Sequence, residues 1–487
     1  MKIAIIQLNV KAGRFEHNFC ETIKYISQAK EMGAELVVLP EMCLSGCFAG
    51  DKWLDIDFLE LSKEYAEKLA EASQGITLIF GAVYEKRSCA YICEKGKLLC
   101  RYAKGHSQNI AEIGFGLKIG LEIGDDSFEG SGVAFIVNIS ASPFHRIFER
   151  KTPVVYANCC GCQNVGKNIV VFAGASAFYN CEGILLGEDS PNITSKEQVI
   201  QCAYCGMDKV LGFEPKYVFG LSGGIDSSLA CALAVKALGK ERVIGYNFPS
   251  EYNNEKTKKA AMQLAKNLGI EYNVVPIEGI QREVEKSLGC FPSIVKENIQ
   301  AKIRCTDLLS NFAQIHGGVM TCNGNKLEIA LGYCTLYGDT NGMFAPLGDL
   351  LKTEIFEIAR GIEEIPRELV PNENLEFEEW QIYPSAELAS GQRDPMKFGY
   401  HDSLLEFAMK GKISFSKAKE LYGKGELFPF LKLPENLVKL YSLNEQQVFE
   451  QDLEWFFTRL NSMAFKRAQM PPILMMGKFA FGNRETI

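Results

Sequence analysis

Residues 218–230 read VFGLSGGIDSSLA: an apolar run, two adjacent glycines among hydroxyls and one acid, then a helix-like run. A strand, turn and helix of this composition aims backbone N–H groups at an anion. No lysine stands beside Ser or Thr after the second glycine, as a Walker loop requires, and three spaced glycines of a dinucleotide fingerprint are lacking. Ser222, Gly223, Gly224 and the amides up to Ser227 can instead wrap a pyrophosphate at the helix N-terminus, with Asp226 placed to hold a magnesium ion on it. SGG alone reads equally well as a glycine-rich connection capped by an acid; the complete string is more specific.

Other reactive types recur downstream. ENIQAKIRCTDLL sets Asn298, Lys302 and Arg304 on an amphipathic helix, where a solvated charged face is the plainer reading. In NGNKLEIALGYCTLYGD, Glu328 and Asp339 flank an apolar stretch too short and too glycine-broken for an ordinary surface helix, which favours functional acids. PLGDLLKTEIFEIAR places Asp349 before a helix carrying Lys352 and Thr353 in its first turn.

Elements on both sides must position these groups. After a boundary set near residue 188, in LLGEDSPNITSKEQ, the pattern runs helix, YVFGLS strand, helix, RVIGYNF strand, helix, EYNVVPI strand. Strands separated by helices at this spacing imply a doubly wound parallel sheet with its ligand over the carboxyl ends of the strands. Residues 1–187 mix helices with paired strands, including a hairpin turning at Lys95-Gly96, as in a layered α/β sandwich.

Bulk composition narrows the function classes. The 487 residues exceed one ordinary core, and 47% hydrophobic with 23% charged residues is globular usage. The net charge of -8 argues against tracking along nucleic acid, which needs a basic face to displace counterions. No apolar run approaches membrane-spanning length, and MKIAIIQLNV flows straight into a strand pattern, so a cytoplasmic protein is expected. Seventeen scattered cysteines read as reduced, mostly core thiols; NCCGC and CAYC could supply zinc ligands, with ordinary thiols the favoured reading.

GLSGGIDSS, NIQAKIR, GNKLEIALGYCTLYGD, PLGDLLKT, PSAELASGQRD and FKRAQMPP, in that order, make residues 188–487 similar to NAD synthetase of the N-type ATP pyrophosphatase group. The resemblance implies ATP-dependent amidation of deamido-NAD through an acyl adenylate. It implies that Gly220, Leu221, Ser222, Gly223, Gly224, Ile225, Asp226 and Ser227 hold ATP phosphates, with Asp226 and Glu328 near Mg2+ and Lys352 neutralising phosphate charge. Asn298, Arg304, Asp339 and Lys466 are implied for deamido-NAD, and Ser385 for ATP. Asn323 stands where the family usually has Thr and keeps a polar contact to ATP. Family synthetase units pair, so at least a homodimer is expected.

Residues 1–187 resemble the nitrilase-type amidase, an α-β-β-α sandwich, that releases ammonia from glutamine in glutamine-dependent NAD synthetases. That chemistry needs a cysteine nucleophile, a glutamate base and a lysine for the oxyanion. LPEMCLSG supplies Glu41 and RYAKGH supplies Lys104, but the cysteine slot falls in GLEIGDDSF, on Gly124. The segment after Lys104 is short for the family, NISASPFHRI runs almost directly into KTPVVYAN, and Ala173 replaces the Asp of the usual FDG. These departures predict a vestigial glutaminase and free ammonia, or ammonia from a separate donor, as nitrogen source. Glutamine use through another cysteine, such as Cys159 or Cys160, is the enzyme alternative. A non-catalytic nucleotide sensor is the alternative of another class.

Overall fold

A computed structural model describes residues 1–47, 49–143, 148–188, 193–376, 382–389, 391–392, 394–477 and 479–482. The chain forms two compact units, Met1–Gly166 with Val170–Cys202, and Lys167–Ile169 with Ala203–Ile487. Helix Lys196–Leu211 carries the change from the first to the second. Residues 189–192, in the stretch read as the boundary, lie outside the described residues.

The first unit is built from strands β1 (Ile3–Gln7), β2 (Leu36–Val38), β3 (Thr77–Tyr84), β4 (Arg87–Glu94), β5 (Lys97–Ala103), β6 (Ile110–Ile113), β7 (Leu117–Ile123), β8 (Phe135–Ser140), β9 (Val154–Asn158), β10 (Ala177–Tyr179) and β11 (Ile184–Gly187). They make a six-stranded sheet in the order β11-β1-β2-β3-β4-β5 and a five-stranded sheet in the order β10-β9-β8-β7-β6. β1, β2 and β3 pair in parallel, and the first two are buried along their whole length, as strands covered on both faces must be. Ile5, Val38, Ile79 and Ile92 from one sheet share a core with Leu121, Ile123, Val137 and Ile139 from the other. Helices α1 (Phe15–Glu31) and α2 (Ile56–Glu71) pack together through an edge-on Phe15–Phe58 contact. Lys95 and Gly96 both take positive φ between the paired residues Glu94 and Lys97, the hairpin geometry that matches strand twist.

The second unit carries a four-stranded sheet of β12 (Lys216–Gly220), β13 (Val243–Asn247), β14 (Glu271–Val274) and β15 (Gly318–Met320) in the order β14-β13-β12-β15. All three pairings are parallel. Chain order reverses between β12 and β15, and that switch point is where an open α/β sheet leaves a crevice beyond its strand ends. Helix α3 (Ile225–Leu238) is buried without a break from Ser227 to Ala234, which explains why its apolar residues show no stripe. Helix α4 (Glu255–Leu268) starts on an Asn254 side chain that accepts from Lys256 N and stops at left-handed Gly269. Helices α5 (Ser293–Lys302), α6 (Lys326–Leu331) and α7 (Lys352–Arg360) contribute Asn298, Glu328 and Lys352 to the walls of the crevice. Among the described residues no helix is long and apolar enough to cross a membrane.

Candidate functional site

A cavity of about 600 Å³ opens over the carboxyl ends of β12 and β15 in the second unit. Every residue predicted for nucleotide, magnesium or deamido-NAD lines it except Gly223. Gly223 lies behind the loop at φ +83°, where an added Cβ would stand 2.0 Å from the Thr257 carbonyl oxygen. Only glycine lets the loop pack that closely on α4. Ser222 Oγ accepts from Gly224 N at 3.1 Å and Ser228 Oγ donates to Gly224 O at 2.7 Å, so the hydroxyls shape the turn.

Asp226, in the first turn of α3, bonds Lys352 Nζ, which also lies 3.6 Å from Glu328. Lys352 is 1% exposed. Burial opposes its charge, but Asp226 and Glu328 outweigh that and its pKa is raised, so it stays an ammonium at any physiological pH. Burial and the neighbouring Asp226 carboxylate push Glu328 up. Glu328 is presented by a capping box at the start of α6: Asn325 Oδ1 accepts from Leu327 N and Glu328 N, and Glu328 Oε2 accepts from Asn325 N. Asn325 Nδ2 also reaches Asp226 Oδ1 at 3.3 Å, so one residue bonds both acids, Asp226 through its side chain and the Glu328 carboxylate through its backbone N–H. At the other end of α6, Arg459 bonds the carbonyls of Leu331 and Gly332, Arg467 that of Ala330, and Lys466 those of Gly332 and Cys334. Cations there complement the helix dipole and fix α6 in place.

The other predicted residues are engaged as follows. Arg304 donates to Phe248 O, Ser250 Oγ and Asn253 Oδ1, bracing the loop after β13, and burial brings its pKa down to about 10. Asp339 Oδ1 accepts from Thr335 N at 2.6 Å, and Asn298 Oδ1 accepts from Thr335 Oγ1. Asn323 Oδ1 accepts from Thr321 Oγ1, and Ser385 Oγ donates to Gln392 O.

Sequence reasoning missed three groups. Asp394, the last residue of PSAELASGQRD, lines the cavity; burial pushes its carboxyl up to about 6 and Lys352 pulls the other way. Its Oδ1 is buried and has no hydrogen-bond partner among the described residues. Asp402 accepts from Lys352 N at 3.0 Å and Gly399 N at 2.8 Å, anchoring the start of α7. Tyr333 adds a phenol to the cavity wall. Asp394 and Tyr333 each stand within a motif already singled out, PSAELASGQRD and GNKLEIALGYCTLYGD, whereas Asp402 carried no such signal.

Magnesium fits this donor set. Three carboxylates (Asp226, Glu328, Asp394) face one lysine, and a surplus of buried negative charge suits a cation. Among the described residues no group of three or more acids, His or Cys is closed up as a metal cage. Mg2+ ordinarily takes one or two carboxylates and completes its shell with phosphates and water. Because Asp394 binds its proton more tightly folded than unfolded, its contribution to stability is full below pH ~4 and lost as pH rises through ~6. Asp394→Asn should therefore raise the melting temperature of the ligand-free protein at pH 7.5 by about 3 °C, measured by calorimetry.

In the first unit, Glu41, Lys104 and Gly124 converge at the ends of β2, β5 and β7. Ser88 Oγ donates to Glu41 Oε1 at 2.8 Å, and Lys104 Nζ lies 3.3 Å from both Glu41 and Asp125. Gly124 has φ +61°, and a Cβ built on it would stand 2.3 Å from Lys104 Nζ and 2.9 Å from Glu41 Oε2. The lysine amine thus occupies the space a side chain at 124 would need. Cys159 is buried, directs its thiol at the Glu41 carbonyl at 3.5 Å, and is pushed well up by burial. Cys47 was not singled out in the sequence; burial and then Glu41 raise it while Lys104 opposes, so it shares the field of both groups. Ala173 is fully buried.

The chain thus joins a two-sheet α/β sandwich to a parallel-sheet unit whose cavity holds a lysine flanked by acids. The NAD synthase family profile matches residues 209–424 and the carbon-nitrogen hydrolase profile residues 2–114. The chain is 30% identical to the glutamine-dependent NAD(+) synthetase of Synechocystis sp. over 82% of this chain and 87% of that one. It is 28% identical to the enzyme of the same description from Thermotoga maritima, over 83% and 88%. The crystal structure of a glutamine-dependent NAD(+) synthetase from Cytophaga hutchinsonii shares the fold, with TM-score 0.72 at 20% identity, covering 99% of this chain and 95% of that one. The chain belongs to the glutamine-dependent NAD(+) synthetase family.

Proposed function

We propose that the protein forms NAD+ from deamido-NAD, ATP and ammonia. A carboxylate is a poor electrophile, so its oxygen first attacks the α-phosphorus of ATP, pyrophosphate leaves, and the acyl adenylate results. Ammonia then attacks the acyl carbon and AMP leaves, giving the amide. Catalysis in such a step rests on positioning and on neutralising developing charge. The loop from Gly220 to Ser227 receives the phosphates, with Ser385 and Asn323 on the same nucleotide. Asp226 and Glu328 would hold magnesium, which when bound withdraws charge from the leaving pyrophosphate. Lys352 supplies a fixed positive charge beside it. Asn298, Arg304, Asp339 and Lys466 face the dinucleotide, and pairing of two synthetase units is part of this reading.

The observation that carries the proposal is Lys352, buried and flanked by Asp226 and Glu328 at the mouth of the phosphate loop. The test is pyrophosphate release from ATP, which should require deamido-NAD; release without it, or none with it, overturns the assignment.

Ammonia is proposed as the donor because position 124 carries no thiol and Lys104 fills the space beside it. A second reading, glutamine use through a different cysteine, has two observations in its favour: the relatives are named as glutamine-dependent, and Cys47 lies in the field of Glu41 and Lys104.

A further inference from the structure

The segment Ile382–Ala389 has no helix or strand, yet Pro384, Ser385, Ala386 and Leu388 form part of the cavity wall. Three of its bonds to the rest of the unit are made by one side chain. Glu387 Oε2 accepts from Thr257 Oγ1 at 2.8 Å, Asn253 Nδ2 at 3.1 Å and Asn254 N at 3.2 Å. All three donors belong to the start of α4. Two of them are tied to other cavity residues: Asn253 Oδ1 accepts from Arg304, and Thr257 is the residue whose carbonyl packs against Gly223 of the glycine loop. Leu388 O accepts from Gln300 Nε2 on α5 at 2.8 Å, so the strap is pinned on both walls. Glu387 itself has φ +46°, a left-handed backbone that a non-glycine residue keeps only when its surroundings impose it.

We propose that Glu387 is a positioning residue for nucleotide turnover, latching the Ile382–Ala389 strap onto the first turn of α4 so that strap and phosphate loop close on one nucleotide. The inference rests on the nucleotide-binding reading of the cavity. A carboxylate suits the task because one charged oxygen can take three donors at once, and because it lies at a helix N-terminus, where negative charge is favoured. It occupies the start of α4 with the protein's own anion and leaves the start of α3 for phosphate. Without the latch, the closed arrangement is a smaller fraction of the population, and apparent nucleotide affinity falls by that fraction.

The test compares full-length wild type, Glu387→Ala and Glu387→Gln in steady-state NAD formation and in direct binding of MgATP by calorimetry. Glu387→Ala should raise KM and Kd for MgATP about tenfold while KM for ammonium moves by less than about twofold. Glu387→Gln, which keeps an acceptor oxygen without its charge, should fall between, at about threefold. Unchanged KM and Kd for MgATP in both variants overturn the latch, as does a fall in kcat with MgATP affinity untouched. If the alanine variant does not fold, the glutamine variant alone decides. Wild type that binds MgATP but forms no NAD would instead remove the proposed reaction and leave the latch to be judged on Kd.

Discussion

Asp226→Ala should lower kcat for NAD formation by about three orders of magnitude or more, with the fold retained. Asp226, in the first turn of α3, bonds Lys352 and also accepts from Asn325 Nδ2. Its loss removes one of two proposed magnesium ligands and frees the lysine from the position it holds at the loop. Stability should change little by comparison. An acid in the first turn of α3 contributes about 0.3–1 kcal/mol through the helix dipole, and removing it lowers the surplus negative charge of the cavity. The measurement is single-turnover formation of AMP and NAD at saturating MgATP, beside a urea melt of the same preparation.

Lys352→Met should cost both activity and stability. The methionine stem fills the buried channel against Phe398, whose ring centroid lies 5.3 Å from Nζ, but the charge that offsets Asp226 and Glu328 is gone. Removing one partner of a buried ion cluster typically costs about 3–5 kcal/mol. The pH dependence carries the signature. Glu328 already has a raised pKa in the folded protein, and deleting the lysine raises it further. A carboxyl with a raised folded pKa contributes stability that is full below its unfolded pKa and lost as pH rises through its folded pKa. The deficit of the variant against wild type should therefore be small near pH 5 and large at pH 8.5, read from urea midpoints at both. A deficit independent of pH would place the cost in packing instead. NAD formation should fall by about three orders of magnitude at either pH.

The strand, turn and helix around residues 218–230 were legible because their signal is local: an apolar run, two glycines and a helix start stand within thirteen consecutive residues. The parallel sheet was legible from the alternation of strand and helix. Partnerships across the chain were not legible. Lys352 could be read as a cation at a helix start, but its union with Asp226, 126 residues away, exists only once β12 and α7 are assembled. Asp402 looks like an ordinary surface acid in sequence and Asp394 only like the end of a motif; backbone N–H groups give the first its place and burial gives the second its raised pKa. Arg304 was read as a substrate contact, and the folded chain adds a bracing task toward Phe248, Ser250 and Asn253. Cys47 passed unnoticed because its importance lies in what surrounds it, Glu41 and Lys104, rather than in its spacing.

The nitrogen of the amide identifies the donor most directly. Purified protein is given MgATP and deamido-NAD with amide-15N glutamine and unlabelled ammonium in one arm, and with 15N ammonium and unlabelled glutamine in the other; NAD is then analysed by mass spectrometry. Incorporation from ammonium alone is the predicted result. Incorporation from glutamine in the first arm, abolished by Cys47→Ser, would contradict the ammonia-only account and place the missing nucleophile beside Glu41.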